Sequence, residues 1–120
     1  MLLEDIQNKL NEIDSNVFYG MANEEKITDK WDYIVFMRKA LSISDTRQGY
    51  TDRFTVAIIR EDFIAEGLDM QVIEKMLEIP GMRLASADCP YSYVKKPNTT
   101  NVVVEILTIE FAKAKKRVVA

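Results

Sequence analysis

The chain has 120 residues, 48% of them hydrophobic and 29% charged, with a formal net charge of −3. That size and composition suit one globular domain and exclude wholesale disorder, and no apolar run approaches the roughly 18–20 residues of a membrane span. Histidine is absent and Cys89 stands alone, which excludes Ser-His-Asp and Cys-His catalysis, histidine- or thiolate-bound zinc and an internal disulfide.

Leu3, Ile6, Leu10 and Ile13 recur at spacings of three and four, so residues 2–14 are predicted as an amphipathic helix. Its acidic start, Glu4-Asp5, suits the positive end of a helix dipole and is unlike the basic start of a signal peptide. Asp14-Ser15-Asn16 supplies turn-forming side chains. Val17-Phe18-Tyr19 is a short strand candidate closed by Gly20, and the polar stretch to Asp32 reads as a long loop. Tyr33 leads into a β-branched and aromatic strand, Ile34-Val35-Phe36-Met37. Ser42–Asp52 is predicted as an extended hairpin loop, after which Phe54, Val56 and Ile58 alternate with Thr55, Ala57 and Ile59.

The second predicted helix starts at Asp69 as N-cap with Leu68 as staple, and buries Met70, Ile73, Met76 and Leu77 before Pro80-Gly81 ends it. Met82–Leu84 and Tyr91–Val94 are short strand candidates. Lys96–Thr100 turns the chain into the longest strand, Asn101–Phe111, apolar on both faces and therefore central. Helices do not alternate with strands, which argues against a doubly wound parallel sheet. The expected fold is a single α+β domain over residues 1–120. Its sheet is antiparallel, mixed at most, with two α-helices packed on one face, in the order α-β-β-β-α-β-β.

Chemistry is thinly marked. The carboxylate pairs Glu24-Glu25, Asp29 with Asp32, and Glu61-Asp62 lack a calcium-loop spacing and read as solvated loop charge. No glycine-rich phosphate loop is present, so neither a cofactor nor a metal is expected. Charge is uneven: residues 1–32 carry eight acids and three bases, whereas the expected basic tail carries Lys113, Lys115, Lys116 and Arg117 without an acid. Such a tail binds nucleic acid, serves as a solubilising end, or meets the acidic end of a neighbouring copy. Trp31, Tyr50, Tyr91 and Tyr93 stand in polar surroundings, either as interface anchors or as caps on the core. With Arg47 and the basic tail they form the candidate interface. The two loops, 21–32 and 42–52, are expected to be mobile in a monomer and to order on assembly.

The succession of an acidic N-terminal helix, the Trp31–Phe36 strand, a charged hairpin, Arg53–Ile59, the Leu68–Ile79 helix, Gly81–Leu84, a tyrosine-bearing segment and a long Val102–Phe111 strand resembles the tail-completion proteins of long-tailed bacteriophages, also called tail terminators or head-tail joining proteins. The resemblance implies a non-enzymatic subunit without cofactors. It implies a ring, typically hexameric, that contacts the tail-tube protein and the head connector. Such a subunit is made in the host cytoplasm and ends in the virion. A nucleic-acid-binding or regulatory adaptor using the basic tail is the alternative, and a metal-dependent enzyme using the acidic loops is a third reading.

Overall fold

The computed structural model describes residues 2–22, 30–43, 49–86 and 88–116, with Lys116 described by its backbone alone. In chain order the elements are α1 (Leu2–Asn11), β1 (Val17–Tyr19), β2 (Tyr33–Ile43), β3 (Gly49–Glu61), α2 (Leu68–Leu77), β4 (Met82–Leu84), β5 (Tyr91–Lys95) and β6 (Val103–Lys116). The α+β class agrees with expectation, and all three strand candidates after α2 form, one more than the order α-β-β-β-α-β-β holds. The strands form one mixed sheet in the order β1-β2-β3-β6-β4, with β5 also paired to β6.

The expected antiparallel sheet needs one correction: β1 runs parallel to β2, with Val17 opposite Ile34 and Tyr19 opposite Phe36. A parallel pair cannot be joined by a tight turn and needs a connection of about a dozen residues. The polar stretch between Tyr19 and Tyr33 is that connection. All other pairs are antiparallel. β6 is central, as its two-faced apolar pattern requires: β3 lines one side along almost its whole length, while β4 and β5 share the other.

One face carries the main core. Ile6 and Leu10 of α1 and Val72 and Met76 of α2 pack on Ile34, Phe36, Phe54, Val56, Ile58, Leu107, Ile109 and Phe111. The opposite face holds a smaller cluster, Val35, Ile59 and Val104, with Phe18, Trp31, Tyr33 and Ile106 packed against it. Period-two alternation along β3 and β6 therefore feeds both clusters.

Helix boundaries shift from the sequence reading. α1 ends at Asn11, and its last turn tightens through Ile13 N–H to Leu10 O before Asp14 Oδ1 takes the Asn16 N–H. α2 is preceded by Gly67 at φ +93°, a left-handed conformation that costs glycine little, so Asp69 lies in the first turn and is not the N-cap. Met70 and Leu77, expected in the buried stripe, are exposed, and Val72 takes their place. Ile73 is only partly buried against the core.

Two loop expectations change as well. Of 42–52, Ser42 pairs with Thr51 and Ile43 with Tyr50, so the hairpin ladder runs well into the expected loop. The expected basic tail is largely strand: Lys113 pairs with Asp52, Lys115 with Tyr50 and Lys116 with Gly49. Residues 23–29, 44–48 and 117–120 lie outside the described residues, and with them Arg47, Arg117 and most of the expected mobile segments.

Strand and helix lengths explain the shape. β3 and β6 have 13 and 14 residues, which at about 3.3 Å per residue span roughly 43–46 Å. Each helix has 10 residues, a length of about 15 Å. Helices that short cannot cover such strands, and one end of the sheet projects as an arm. The molecule measures 55 × 26 × 24 Å with a radius of gyration of 15.8 Å, against about 13–14 Å for a compact domain of this length.

Candidate functional site

The arm is the distal part of three strands: residues 37–43 of β2, 49–53 of β3 and 112–116 of β6. At its root a bulge inserts Lys39 between Arg38, opposite Phe54, and Ala40, opposite Arg53. The extra residue resets the alternation, so Leu41 and Ile43 fall on the same face as buried Ile34 and Phe36. Across the strands that face reads Leu41–Asp52–Lys113 and then Ile43–Tyr50–Lys115. It continues the core face beyond the helices. With no helix of the described residues above them, Leu41 is 54% and Ile43 73% exposed. Where α1 begins, Leu2, Leu3, Arg38, Asp52, Phe54 and Lys113 line an open hollow of about 470 Å³.

The other face of the arm is polar and internally paired. Glu110 receives Lys39 Nζ at 3.0 Å and Arg53 Nη1 at 3.4 Å, and Arg53 Nε donates to Ser42 Oγ. Lys39 and then Arg53 hold the Glu110 carboxyl below its usual range. Arg38, Lys113 and Lys115, by contrast, form no ion pair among the described residues. One arm face is thus neutralised, while the other combines open cations with apolar surface.

The sequence-predicted interface residues divide into three places. Tyr50, Lys113 and Lys115 gather on the arm face. Tyr91 and Tyr93 stand on β5, opposite Leu107 and Glu105, near the other end of β6. Tyr93 is 60% exposed, and its hydroxyl is pushed above its usual range, first by its hydrogen bond to Glu105. Trp31 is half-buried on the smaller core, edge-to-face with Tyr33 at 6.5 Å, and its backbone N–H donates to Glu61 Oε1 at 2.9 Å. Glu61 also takes Lys96 Nζ. That bond first, and the Trp31 N–H second, hold its carboxyl below the usual value.

A second surface, which sequence reasoning missed, lies beside the start of α2. Phe63, Ile64, Glu66, Asp69, Met70 and Tyr91 line a shallow groove of about 710 Å³. Phe63 is 69% exposed, and Met70 and Tyr91 are about half exposed. The groove is built by Ile64 N–H donating to Glu105 Oε1 at 2.8 Å, which ties the segment after β3 to β6.

Among the described residues no cluster of three Cys, Asp or Glu side chains is placed to hold a metal ion. Burial, and then Asp88, raise the Cys89 thiol further above its ordinary range, so little thiolate forms at neutral pH. No helix of the described residues is long and apolar enough to cross a membrane. In comparisons with known proteins, no family model and no curated protein matches the sequence.

Proposed function

We propose that this chain is a non-enzymatic structural subunit that assembles with copies of itself into a ring. Within that class, we propose that it acts in tail completion at the head-tail joint of a long-tailed bacteriophage. On this reading it meets the tail-tube protein and the head connector, and passes from the host cytoplasm into the virion. The observation that carries the reading is the arm, a three-stranded extension of the core face with Leu41 and Ile43 uncovered. An isolated monomer gains nothing from exposing that face, and such surface is the usual mark of a protein contact. The β2 edge beyond Phe36, which has no strand partner on the β1 side among the described residues, offers further backbone donors and acceptors to a neighbour.

Nucleic-acid binding is supported by the three open cations Arg38, Lys113 and Lys115. A phosphate-tracking surface gains nothing from apolar side chains between its cations, and Leu41 and Ile43 favour the protein contact. Sedimentation velocity across a dilution series, with electron microscopy of the largest species, tests the ring. Closed rings are expected, and a monomer at every concentration counts against the reading. Binding to duplex DNA that weakens steeply with salt, by about 0.9 log units per tenfold salt for each neutralised phosphate, would favour the alternative.

A further inference from the structure

This inference rests on the proposed self-assembly and identifies the two surfaces through which it runs. The molecule carries two uncovered apolar patches near opposite ends of β6. On the arm, Leu41, Ile43 and Tyr50 are flanked by Arg38, Lys113 and Lys115, with Asp52 the one carboxylate of that face among the described residues. In the groove, Phe63, Met70 and Tyr91 are flanked by Glu66 and Asp69, with no cation among the described residues of its lining. Neither acid forms an ion pair among the described residues.

The separation excludes a contact within one copy. Tyr91 pairs with Leu107 and Tyr50 with Lys115, so the patches are eight residues apart along β6, about 26 Å. Two arms brought face to face would oppose cation with cation, and two grooves acid with acid. An arm against a groove buries apolar surface on both sides and pairs the charges at its rim.

We propose that the arm of one copy seats its Leu41–Ile43 face in the Phe63–Met70–Tyr91 groove of the next. The occupant of the groove is a second copy of this chain. The contact joins two different surfaces, so it is head-to-tail. It propagates around a ring where the rotation closes and along a filament where it does not.

Cysteine cross-linking tests the geometry in a Cys89→Ser background. Leu41→Cys and Met70→Cys chains are oxidised separately and as a mixture. The expected result is a disulfide dimer in the mixture alone, and a ladder of multimers from a chain carrying both substitutions. A Leu41→Cys dimer formed without its partner would show arm meeting arm and overturn the proposal. No cross-link, while the unsubstituted chain still sediments as an oligomer, would overturn this contact and leave self-assembly standing. A chain that stays monomeric throughout overturns self-assembly itself.

Charge exchange provides the second arm of the test. Lys113→Glu with Lys115→Glu is expected to weaken association about a hundredfold, as is Glu66→Lys with Asp69→Lys. Mixing the two reversed chains is expected to restore it, because each presents the surface the other needs. Unchanged association in both reversed chains would overturn the pairing.

Discussion

The body and the arm are made from the same three strands and differ in what lies above and beside them. In the body, α1 and α2 cover one face, and Phe54, Ile58 and Phe111 are buried. Along the arm the same face of the same strands continues, and Leu41 and Ile43 are mostly in water. Backbone pairing is unbroken from Gly49 to Glu61. The hydrogen-bond ladder therefore accounts for strand formation in both regions, and the cover decides which apolar side chains contribute to stability. A β-sheet can be long without its core being long.

Four predictions test that contrast. The largest effect belongs at Phe111, which is fully buried beneath the helices. Phe111→Ala is expected to cost about 3–5 kcal/mol in denaturant unfolding, and a loss under half of that would mean the covered face is loosely packed.

Leu107 and Ile73 grade the body itself. Leu107 is buried and Ile73 is only partly so. Leu107→Ala is expected to lose about 2–4 kcal/mol and Ile73→Ala about 1–2, because less surface leaves water at the second site. Equal losses would place the α2–sheet seam deeper than described.

Two carboxylates compare the regions electrostatically. Glu61 is held low first by Lys96, and Glu110 first by Lys39. Both pKa values fall on folding, so their stabilisation is complete above the ordinary glutamate value of 4.5. It is lost as pH drops from there towards the folded values. Glu61→Gln is expected to lower stability at pH 7 by about 1–3 kcal/mol and to flatten the acid limb of unfolding free energy against pH. Lys39 is 52% exposed, so Glu110→Gln is expected to cost no more than about 1 kcal/mol. An acid limb unchanged in Glu61→Gln would disprove the latch between Trp31, Lys96 and this strand end.

The smallest stability effect belongs to the arm. Ile43→Ser is expected to stay within about 0.5 kcal/mol of the unsubstituted chain, as surface sites do, when unfolding is measured at dilutions where the chain is monomeric. Amide exchange gives the same comparison without a substitution. Amides of Phe54–Ile58 should exchange only through global unfolding, and those of Gly49–Asp52 through local opening. Equal protection in both segments of a monomer would mean the arm is as firmly held as the body.

Much of this molecule follows from local pattern. The Leu3–Ile6–Leu10 spacing, the alternation of Phe54, Val56 and Ile58, and the two-faced Val104–Phe111 run are properties of neighbouring residues. Their period alone assigns helix, half-covered strand and central strand. Tyr50, Lys113 and Lys115 were legible as unusual, but not as neighbours, because the register that brings them together links residues more than 60 positions apart. Leu41 and Ile43 were hidden by the bulge at Lys39, which breaks the period that would have tied them to Phe36. Of the groove only Tyr91 stood out in the sequence; Phe63 and Met70 gave no signal, since an apolar residue in a loop or on a helix reads the same whether it is covered or bare. The parallel β1–β2 pair and the end of helical cover short of the arm were likewise decided in three dimensions. Burial and strand partnership depend on what other segments occupy, and no residue carries that in its own neighbourhood.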